Sequence, residues 1–454
     1  MRKLRWLVAF TAVLLIAAAC GGDDDTDGTT GEGEGGGTGA AGEAAAFTLA
    51  GAPRAAEADA LNGFLAVYNE ATGSDIDYVG TADFEVQLRV RVEGGDPPDI
   101  AFTPQPASIC EFADTGQLAS LEDMGFDIAE MEANHSKFWM DLGVCEDGNH
   151  YGIPWFPNFK SVVFYNAPAF EAGGYEIPET YDDMVALSEQ MVADGQTPWC
   201  FGFESGGATG WPGTDWIEDI LLRQSGPDVY TQWYNHEIPF NDPAVVSAFD
   251  TFGEILLGEG FVLGGAENVS GINFQDSPLP LFDEPPGCLM LKQGSFVTNF
   301  FPTDAADDLI LTFPFPTVDG NGGAMGGGDT IIVFNDSPAN VQAIQDWITP
   351  EWQCVLASPS GGTASERGGH GIAGIERLPG HKDVDPACYE TEASQQFAEV
   401  ITEALESNTF AFDASDLMPS AVGQGSFWVG MVDFASGTPA QEVVDAVEAS
   451  WPDG

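Results

Sequence analysis

Residues 199–219 combine indole side chains with glycines in a pattern that suits a binding site. The segment begins with apolar residues of β type, continues through a run of glycines, and reaches Pro212, which suits the first turn of a helix. Trp211 and Trp216 lie at that turn, where flat aromatic faces could line a cleft. The alternative is that both tryptophans are core residues, because aromatic side chains are more often buried than exposed at sites.

Sequence motifs of common enzymes are missing from the chain. It has no GxSxG nucleophile elbow, no HExxH zinc motif and no GxxxxGK[ST] phosphate loop. Its five histidines are scattered, and no close Cys/His spacing predicts a metal site or a cofactor. Paired carboxylates for glycoside hydrolysis are uninformative among 72 acidic residues. We therefore expect a binding protein, not an enzyme.

The charge of the chain is extreme. Against the 72 Asp and Glu stand only 13 Lys and Arg, which gives a formal net charge of −59. Such a field repels nucleic acid, so no nucleic-acid partner is expected. It could attract a cationic ligand, or it could be a solubility or salt-adaptation coat over the whole surface. Lysine is scarce everywhere in the chain, which favours the coat.

The N-terminus has the pattern of an export signal. A basic start precedes an apolar segment at residues 6–16, which is too short to span a bilayer. Small residues before Cys20 resemble a bacterial lipoprotein lipobox, and an ordinary signal peptide cut nearby is the alternative. We expect a signal peptide at residues 1–20, lipidation of Cys20, and a disordered, acidic, glycine-rich tether at 21–46. The protein would then be anchored by lipid to the outer face of the bacterial cytoplasmic membrane.

The other cysteines fit an exported protein. Their number is even, which suggests disulfide bonds, and pairing each with its nearest neighbour in sequence is the simplest of several connectivities. The expected pairs are Cys110 with Cys145, Cys200 with Cys288, and Cys354 with Cys388.

Strand and helix patterns alternate through the first part of the chain. Apolar segments of β type at residues 47–50, 75–79 and 98–102 are separated by helical periodicity at 57–70 and 84–92. This alternation predicts an α/β lobe with a largely parallel sheet. Further on, glycines from residue 326 are expected to form a loop that runs into a buried strand.

Five segments follow one another in an order that resembles a known family. They read PDIAF, YGIPW…VVFYN, PPGCLMLKQGSF, GGGDTIIVF and SDLMPSAVGQGSFWVGM. In this order they resemble the extracellular solute-binding proteins of ABC sugar importers, specifically the α-glucoside-type, maltodextrin-binding-protein-like members. The resemblance implies a two-lobed periplasmic-binding-protein-like α/β fold of class II, with crossing hinge strands and a ligand cleft between the lobes.

The resemblance also implies a division of the chain into lobes. Lobe 1 would comprise residues 47–163 and 312–388, and lobe 2 would comprise residues 164–311 and 389–454. The three crossings would fall near 161–165, near 312–315, and before a helix at 392–405.

Carrying the family's cleft positions over to this sequence gives a set of substrate-binding residues. The implied set is Pro53, Arg54, Phe84, Gln105, Trp155, Phe156, Asn158, Trp211, Asp215, Gln293, Phe296, Gly327, Gly328, Asp329 and Trp428. Trp428 matches the stacking tryptophan of the family best. Indoles suit the apolar faces of sugar rings, and polar side chains suit the hydroxyls. The rare cation Arg54 could meet an acidic group of the ligand or only an internal carboxylate.

The function implied by the resemblance is capture of a carbohydrate, an α-glucoside or oligosaccharide, by hinge closure and its delivery to ABC permease subunits. We expect a monomer that touches the membrane only through its lipid anchor. The alternatives are a binding protein for a cationic or zwitterionic solute, such as a polyamine or a betaine, and a secreted glycoside hydrolase.

Overall fold

The structure is a computed structural model that describes residues 44–302, 305, 309–357, 378–389 and 392–452. The predicted signal peptide, the lipidation site Cys20 and almost all of the predicted tether lie outside these residues. Among the described helices, none is both long enough and apolar enough to cross a membrane.

The first part of the chain alternates between strands and helices, as its periodicity predicts. In chain order the elements are β1 (Ala46–Gly51), α1 (Ala56–Thr72), β2 (Asp75–Gly80), α2 (Phe84–Glu93), β3 (Ile100–Thr103), α3 (Pro106–Ala113), α4 (Ile128–His135), α5 (Lys137–Asp141) and β4 (Ile153–Phe159). Helix α1 shows why: Leu61, Phe64, Leu65 and Tyr68 recur at helical spacing and are buried, and Gly73 ends the helix in the left-handed conformation.

The remaining elements complete both lobes. They are β5 (Val162–Asn166), α6 (Ala167–Gly173), α7 (Tyr181–Ala193), α8 (Trp211–Tyr234), α9 (Pro243–Leu256), β6 (Met290–Lys292), β7 (Ile310–Pro314), β8 (Ala324–Val333), α10 (Pro338–Trp347), α11 (Pro350–Ala357), α12 (Glu392–Glu406), β9 (Phe410–Phe412), α13 (Ala414–Leu417), α14 (Trp428–Ala435) and α15 (Ala440–Glu448). Pro212 lies in the first turn of α8, as predicted.

The larger sheet is mixed. Its strand order is β2-β1-β3-β8-β4, and β9 pairs with β8. Strand β1 runs parallel to β2 and β3, whereas β8 is antiparallel to both β3 and β4. The expectation of a largely parallel sheet is therefore confirmed for β1, β2 and β3, on which it was based, but it does not extend to β8 and β4. Strand β8 does not follow a helical crossover from β3 or β4, which a parallel pair would need, but enters from the other sheet.

The smaller sheet is antiparallel, with the order β6-β5-β7. It belongs to a second core in which α7, α8, α9, α14 and α15 pack. The first core gathers side chains of β1, α1, β3, β4, β8 and α10. The protein thus has the two-lobed α/β architecture that the resemblance implies.

The chain passes between the two sheets at defined places. Strands β4 and β5 belong to different sheets and are joined by residues 160–161, and β7 is joined to β8 by residues 315–323. The third passage follows β9 instead of preceding α12, because β9 still pairs with β8. Helix α12 lies across the junction, where Phe397 contacts Phe159 of β4 and Phe164 of β5 at ring-centroid distances of 5.9 and 6.3 Å.

The glycines of the predicted loop are part of β8. Gly326 pairs with Phe159 and Gly327 with Asn158 on β4, and both glycines are buried. A Cβ atom on Gly326 would lie 2.1 Å from the carbonyl oxygen of Asn158. The glycines therefore allow a close approach of two strands, which is a use that sequence periodicity does not distinguish from a loop.

The three predicted disulfide bonds are confirmed. They join Cys110 to Cys145, Cys200 to Cys288, and Cys354 to Cys388.

Candidate ligand-binding cavity

A cavity of about 750 Å³, part of it open to solvent, lies where loops of both lobes meet. Lobe 1 and the crossing strands contribute residues from the β1–α1 loop, the end of β3, β4 and β8. Lobe 2 contributes the start of α8, residues 274 and 296, and the segment from α13 to α14.

Aromatic side chains of lobe 2 form one side of the cavity. Trp211 is the first residue of α8, and Trp428 is the first residue of α14. The rings of Phe274 and Phe296 lie beside Trp211, at centroid distances of 5.1 and 5.9 Å. This side of the cavity offers the flat apolar surface on which a ring-shaped ligand can lie.

Gly210 brings the two tryptophans together. It precedes α8 with φ of 114°, and a Cβ atom there would lie 2.0 Å from the carbonyl oxygen of Trp428. Only glycine fits both the positive φ and this contact. The starts of α8 and α14 are consequently held against one another, and the positions of Trp211 and Trp428 are linked.

A buried lysine lies at the base of the cavity. Lys160, at the β4–β5 junction, is 5% exposed, and its Nζ donates to Asp215 Oδ1 at 2.8 Å and to Asp413 Oδ2. The same Nζ lies 5.1 Å from the centroid of the Trp211 ring. Burial opposes its charge, but Asp215 and Asp413 raise the pKa of Lys160 well above its usual value. Lys160 therefore stays protonated and ties the junction to α8 and α13.

A second buried lysine extends this network beneath the cavity. Lys292 of β6 lies 3.3 Å from Asp219 and donates to the backbone oxygens of Lys160 and Asp215 at 3.2 and 3.1 Å. Arg223 also pairs with Asp219 one turn along α8. Strand β6, helix α8 and the β4–β5 junction are thus joined by charges that are shielded from solvent.

Three acidic side chains of the network are close enough to hold a metal ion. They are Asp215, Glu218 and Asp413, all buried. Lys160 already donates to two of them, so its ammonium supplies the positive charge there. Burial and the nearby Asp413 raise the pKa of Glu218 well above its ordinary value, and its two oxygens accept hydrogen bonds from the backbone nitrogens of Ala414 and Ser415. The cluster is arranged around the Lys160 ammonium as an ion-pair network.

Arg54 and Glu85 line the lobe 1 side of the cavity. The guanidinium carbon of Arg54 lies 5.5 Å from the centroid of the Phe274 ring, across the cavity mouth in lobe 2. Gln275 Nε2 also donates to the backbone oxygen of Arg54 at 3.5 Å. Burial raises the pKa of Glu85 to about 7, although Arg54 opposes the increase. The Arg54 guanidinium thus faces an aromatic ring and also interacts with the Glu85 carboxylate, and a contact to an acidic group of a ligand stays a prediction.

The structure brings ten of the implied site residues together around the cavity. They are Pro53, Arg54, Gln105, Asn158, Trp211, Phe296, Gly327, Gly328, Asp329 and Trp428.

Two of the implied aromatic residues lie in a core instead of on the cavity. Trp155 and Phe156 are 0% and 1% exposed, and their rings stack on one another at a centroid distance of 4.1 Å. Trp155 also stacks on Trp347 of α10 at 5.5 Å. These side chains support β4 from within lobe 1, which is the usual place of large aromatic residues.

The other three implied residues are also away from the cavity surface. Phe84 is buried in a small core beneath α2, and Asp215 is buried against Lys160. Gln293 is buried, and its Oε1 accepts a hydrogen bond from the backbone nitrogen of Gly294 at 3.0 Å. Asp215 nevertheless affects the cavity indirectly, because it fixes the position of Lys160.

Comparison with known proteins places the chain in a family. Residues 49–349 match the model of the bacterial extracellular solute-binding protein family. The chain belongs to this family. It is 38% identical, over 86% of its length and 88% of the relative's, to the osmoprotective compounds-binding protein GgtB of Synechocystis sp.. It is 35% identical, over 85% of its length and 82% of the relative's, to the alpha-glucosides-binding periplasmic protein AglE of Rhizobium meliloti.

Solved structures of other solute-binding proteins share the fold. The solute receptor AcbH aligns with a TM-score of 0.74 at 20% identity, covering 90% of this chain and 98% of that one. The GacH receptor of Streptomyces glaucescens aligns with a TM-score of 0.68 at 15% identity, covering 90% and 97%. At these identities the likeness concerns the fold.

Several cavity residues of this solute-binding protein were missed by the sequence analysis. They include Glu57, Glu85, Lys160, Phe274, Asp413, Ser415 and Asp416. For Lys160 a signal existed: a lysine between two apolar strands is unusual in a chain where lysine is scarce. The acids gave no signal, because they are a few among 72.

Proposed function

We propose that the protein captures a neutral carbohydrate, an α-glucoside or a short oligosaccharide, in this cavity. The observation that carries the proposal is the pairing of an aromatic side, Trp211 and Trp428, with carboxylates at the opposite side and base. Aromatic rings bind the C–H faces of a pyranose, and carboxylates accept hydrogen bonds from its hydroxyls.

The distribution of charge supports a neutral ligand over a cationic one. A quaternary ammonium group would bind on the face of an aromatic ring, but two rings of the cavity already have a protein cation beside them. Lys160 lies over Trp211, and Arg54 lies over Phe274. An anionic ligand is disfavoured by the cavity acids Glu57, Asp413 and Asp416, which outnumber the cations. A polyol can use both kinds of group.

Trp428 offers a specific contact for such a ligand. Its Nε1 is buried and has no hydrogen-bond partner among the described residues. A buried donor without a partner costs about 1–3 kcal/mol, and a ligand hydroxyl or ring oxygen next to the indole would satisfy it.

The wider role follows from the two lobes and the family. We propose that lobe 1 and lobe 2 close on the ligand and present it to ABC permease subunits. The lobes would be divided as the sequence predicts, except that the third passage comes later in the chain, after β9. The protein would act as a monomer, without catalysis, anchored outside the cytoplasmic membrane by lipid on Cys20. The names of its relatives, one binding α-glucosides and one binding osmoprotective compounds, are both compatible with a small neutral glycoside.

A thermal-shift screen tests the ligand class. We expect maltose, trehalose or sucrose to raise the melting temperature, because a ligand that binds only the folded state stabilises it by RT ln(1 + [L]/Kd). Spermidine and glycine betaine are the control solutes, and NaCl at matched ionic strength accounts for screening of the acidic surface. Stabilisation by spermidine or betaine alone would overturn the proposal, and turnover of a nitrophenyl glucoside would point to an enzyme.

A further inference from the structure

Two carboxylates of lobe 1 reach across to lobe 2 outside the ligand cavity. Glu111, on α3, accepts hydrogen bonds from the backbone nitrogen of Ser420 at 3.1 Å and from its hydroxyl at 2.8 Å. Arg89 of α2 donates to the same Glu111 carboxylate at 2.8 Å and holds it in place. Ser420 directly precedes a π-helical segment, Ala421–Phe427, that continues into α14.

The second contact has the same form. Asp83, immediately before α2, accepts a hydrogen bond from the backbone nitrogen of Gly207 at 3.2 Å. Gly207 lies in the short 3₁₀ turn Gly206–Ala208, just ahead of α8. The approach is close, since a Cβ atom on Gly206 would lie 2.8 Å from the backbone oxygen of Ala82.

The two contacts share a feature: in both, a carboxylate of lobe 1 meets a backbone nitrogen of lobe 2. Each carboxylate accepts a hydrogen bond from a backbone N–H at the start of a helical segment, where such donors lack partners within the segment. One segment leads to Trp428 and the other to Trp211. Asp83 makes no side-chain hydrogen bond to the helix that it precedes in its own lobe.

We propose that Asp83 and Glu111, which we call the bridging carboxylates, are positioning residues that stabilise the closed arrangement of the lobes and fix the two tryptophans for the ligand. The inference rests on the proposed closure of the lobes around a ligand. Neither residue lines the cavity. Their contribution to affinity is the extra stability of the closed state, which appears as slower ligand release.

The test compares Glu111→Gln, Asp83→Ala and the double variant with the wild-type protein. With maltose as the probe, we expect each single variant to release the sugar about 3- to 10-fold faster, the range for loss of a hydrogen bond to a charged group that is partly exposed, with little change in association rate. Without ligand, we expect a larger radius of gyration for the double variant in small-angle X-ray scattering.

Asp127→Ala is the matched control. Asp127 also accepts from a backbone nitrogen at a helix start, that of Glu130 at 3.2 Å, but within lobe 1. Its loss should lower the melting temperature without changing the release rate or the radius of gyration.

Unchanged release and unchanged scattering in the double variant would overturn the inference. If maltose fails to bind the wild-type protein, the proposed ligand fails for that sugar, and scattering alone decides on the bridging carboxylates: equal radii would reject them. If Glu111→Gln loses the wild-type melting transition, Glu111→Asp replaces it, because the shorter side chain cannot span the same contact.

Discussion

Replacing Lys160 by methionine is expected to lower the free energy of unfolding by about 3–5 kcal/mol, the range for removing one partner of a buried ion pair. The substitution nearly preserves the length of the side chain but leaves Asp215 and Asp413 buried without their ammonium. Asp215 Oδ2 already has no hydrogen-bond partner among the described residues, so no other contact of this oxygen offsets the loss of the ammonium. Urea unfolding followed by tryptophan fluorescence measures the effect.

Two further variants make this result specific. Lys137→Met removes a lysine that is 68% exposed and pairs with Asp141 and Glu132 at the surface, and we expect no measurable change in the free energy of unfolding. Adding Asp215→Asn and Asp413→Asn to Lys160→Met should recover part of the loss, because no unpaired charge then remains. A loss below about 1 kcal/mol for Lys160→Met would show that the ion-pair network does not hold the junction.

Replacing Trp428 by alanine is expected to weaken sugar binding by about 100-fold, as for an aromatic hot spot that costs 2–4 kcal/mol. Trp428→Phe keeps a ring surface but removes the Nε1 donor, and we expect a loss of about 5- to 10-fold, close to one hydrogen bond. Isothermal titration calorimetry with the best sugar of the thermal-shift screen measures both affinities.

The matched control for this pair is Trp451→Phe. Trp451 stacks on His236 at a centroid distance of 4.0 Å and does not line the cavity, so the affinity should remain that of the wild-type protein. Equal affinities of Trp428→Ala and the wild-type protein would remove Trp428 from the binding site. Equal affinities of Trp428→Phe and the wild-type protein would reject only the contact to Nε1.

Much of the fold could be predicted because its signals are local. Helical periodicity placed α1 and α2, and nearest-neighbour pairing gave the disulfides. The direction of β8 could not be predicted. It depends on where a strand enters the larger sheet from the smaller one, which is a non-local property.

The cavity could be predicted only where family positions and chemistry agree. Trp211 at the start of α8 and Trp428 at the start of α14 line it, whereas Trp216, one turn into α8, is in the core. Trp155 and Phe156 were placed at the site by the family resemblance, but they lie where the pairing of β4 with β8 shifts register, and they pack on one another and on Trp347. Sequence spacing does not say which face of a fully buried strand meets a cavity.

The structure shows where several of the few basic residues lie. Of 13 Lys and Arg, three belong to the buried network beneath the cavity: Lys160, Lys292 and Arg223. The surface can remain acidic while the few cations neutralise acids at the junction of the lobes. The net charge of the whole chain therefore does not describe this junction, where three of the few cations are concentrated.

A crystal structure grown with the most stabilising sugar tests the central claim most directly. The account predicts one sugar ring in the cavity between the lobes, lying against Trp428 or Trp211, with a sugar oxygen within about 3.2 Å of Trp428 Nε1 and hydroxyls donating to cavity carboxylates. A sugar bound outside this cavity, or a cavity that takes up a polyamine or betaine in preference to the sugar, would contradict it.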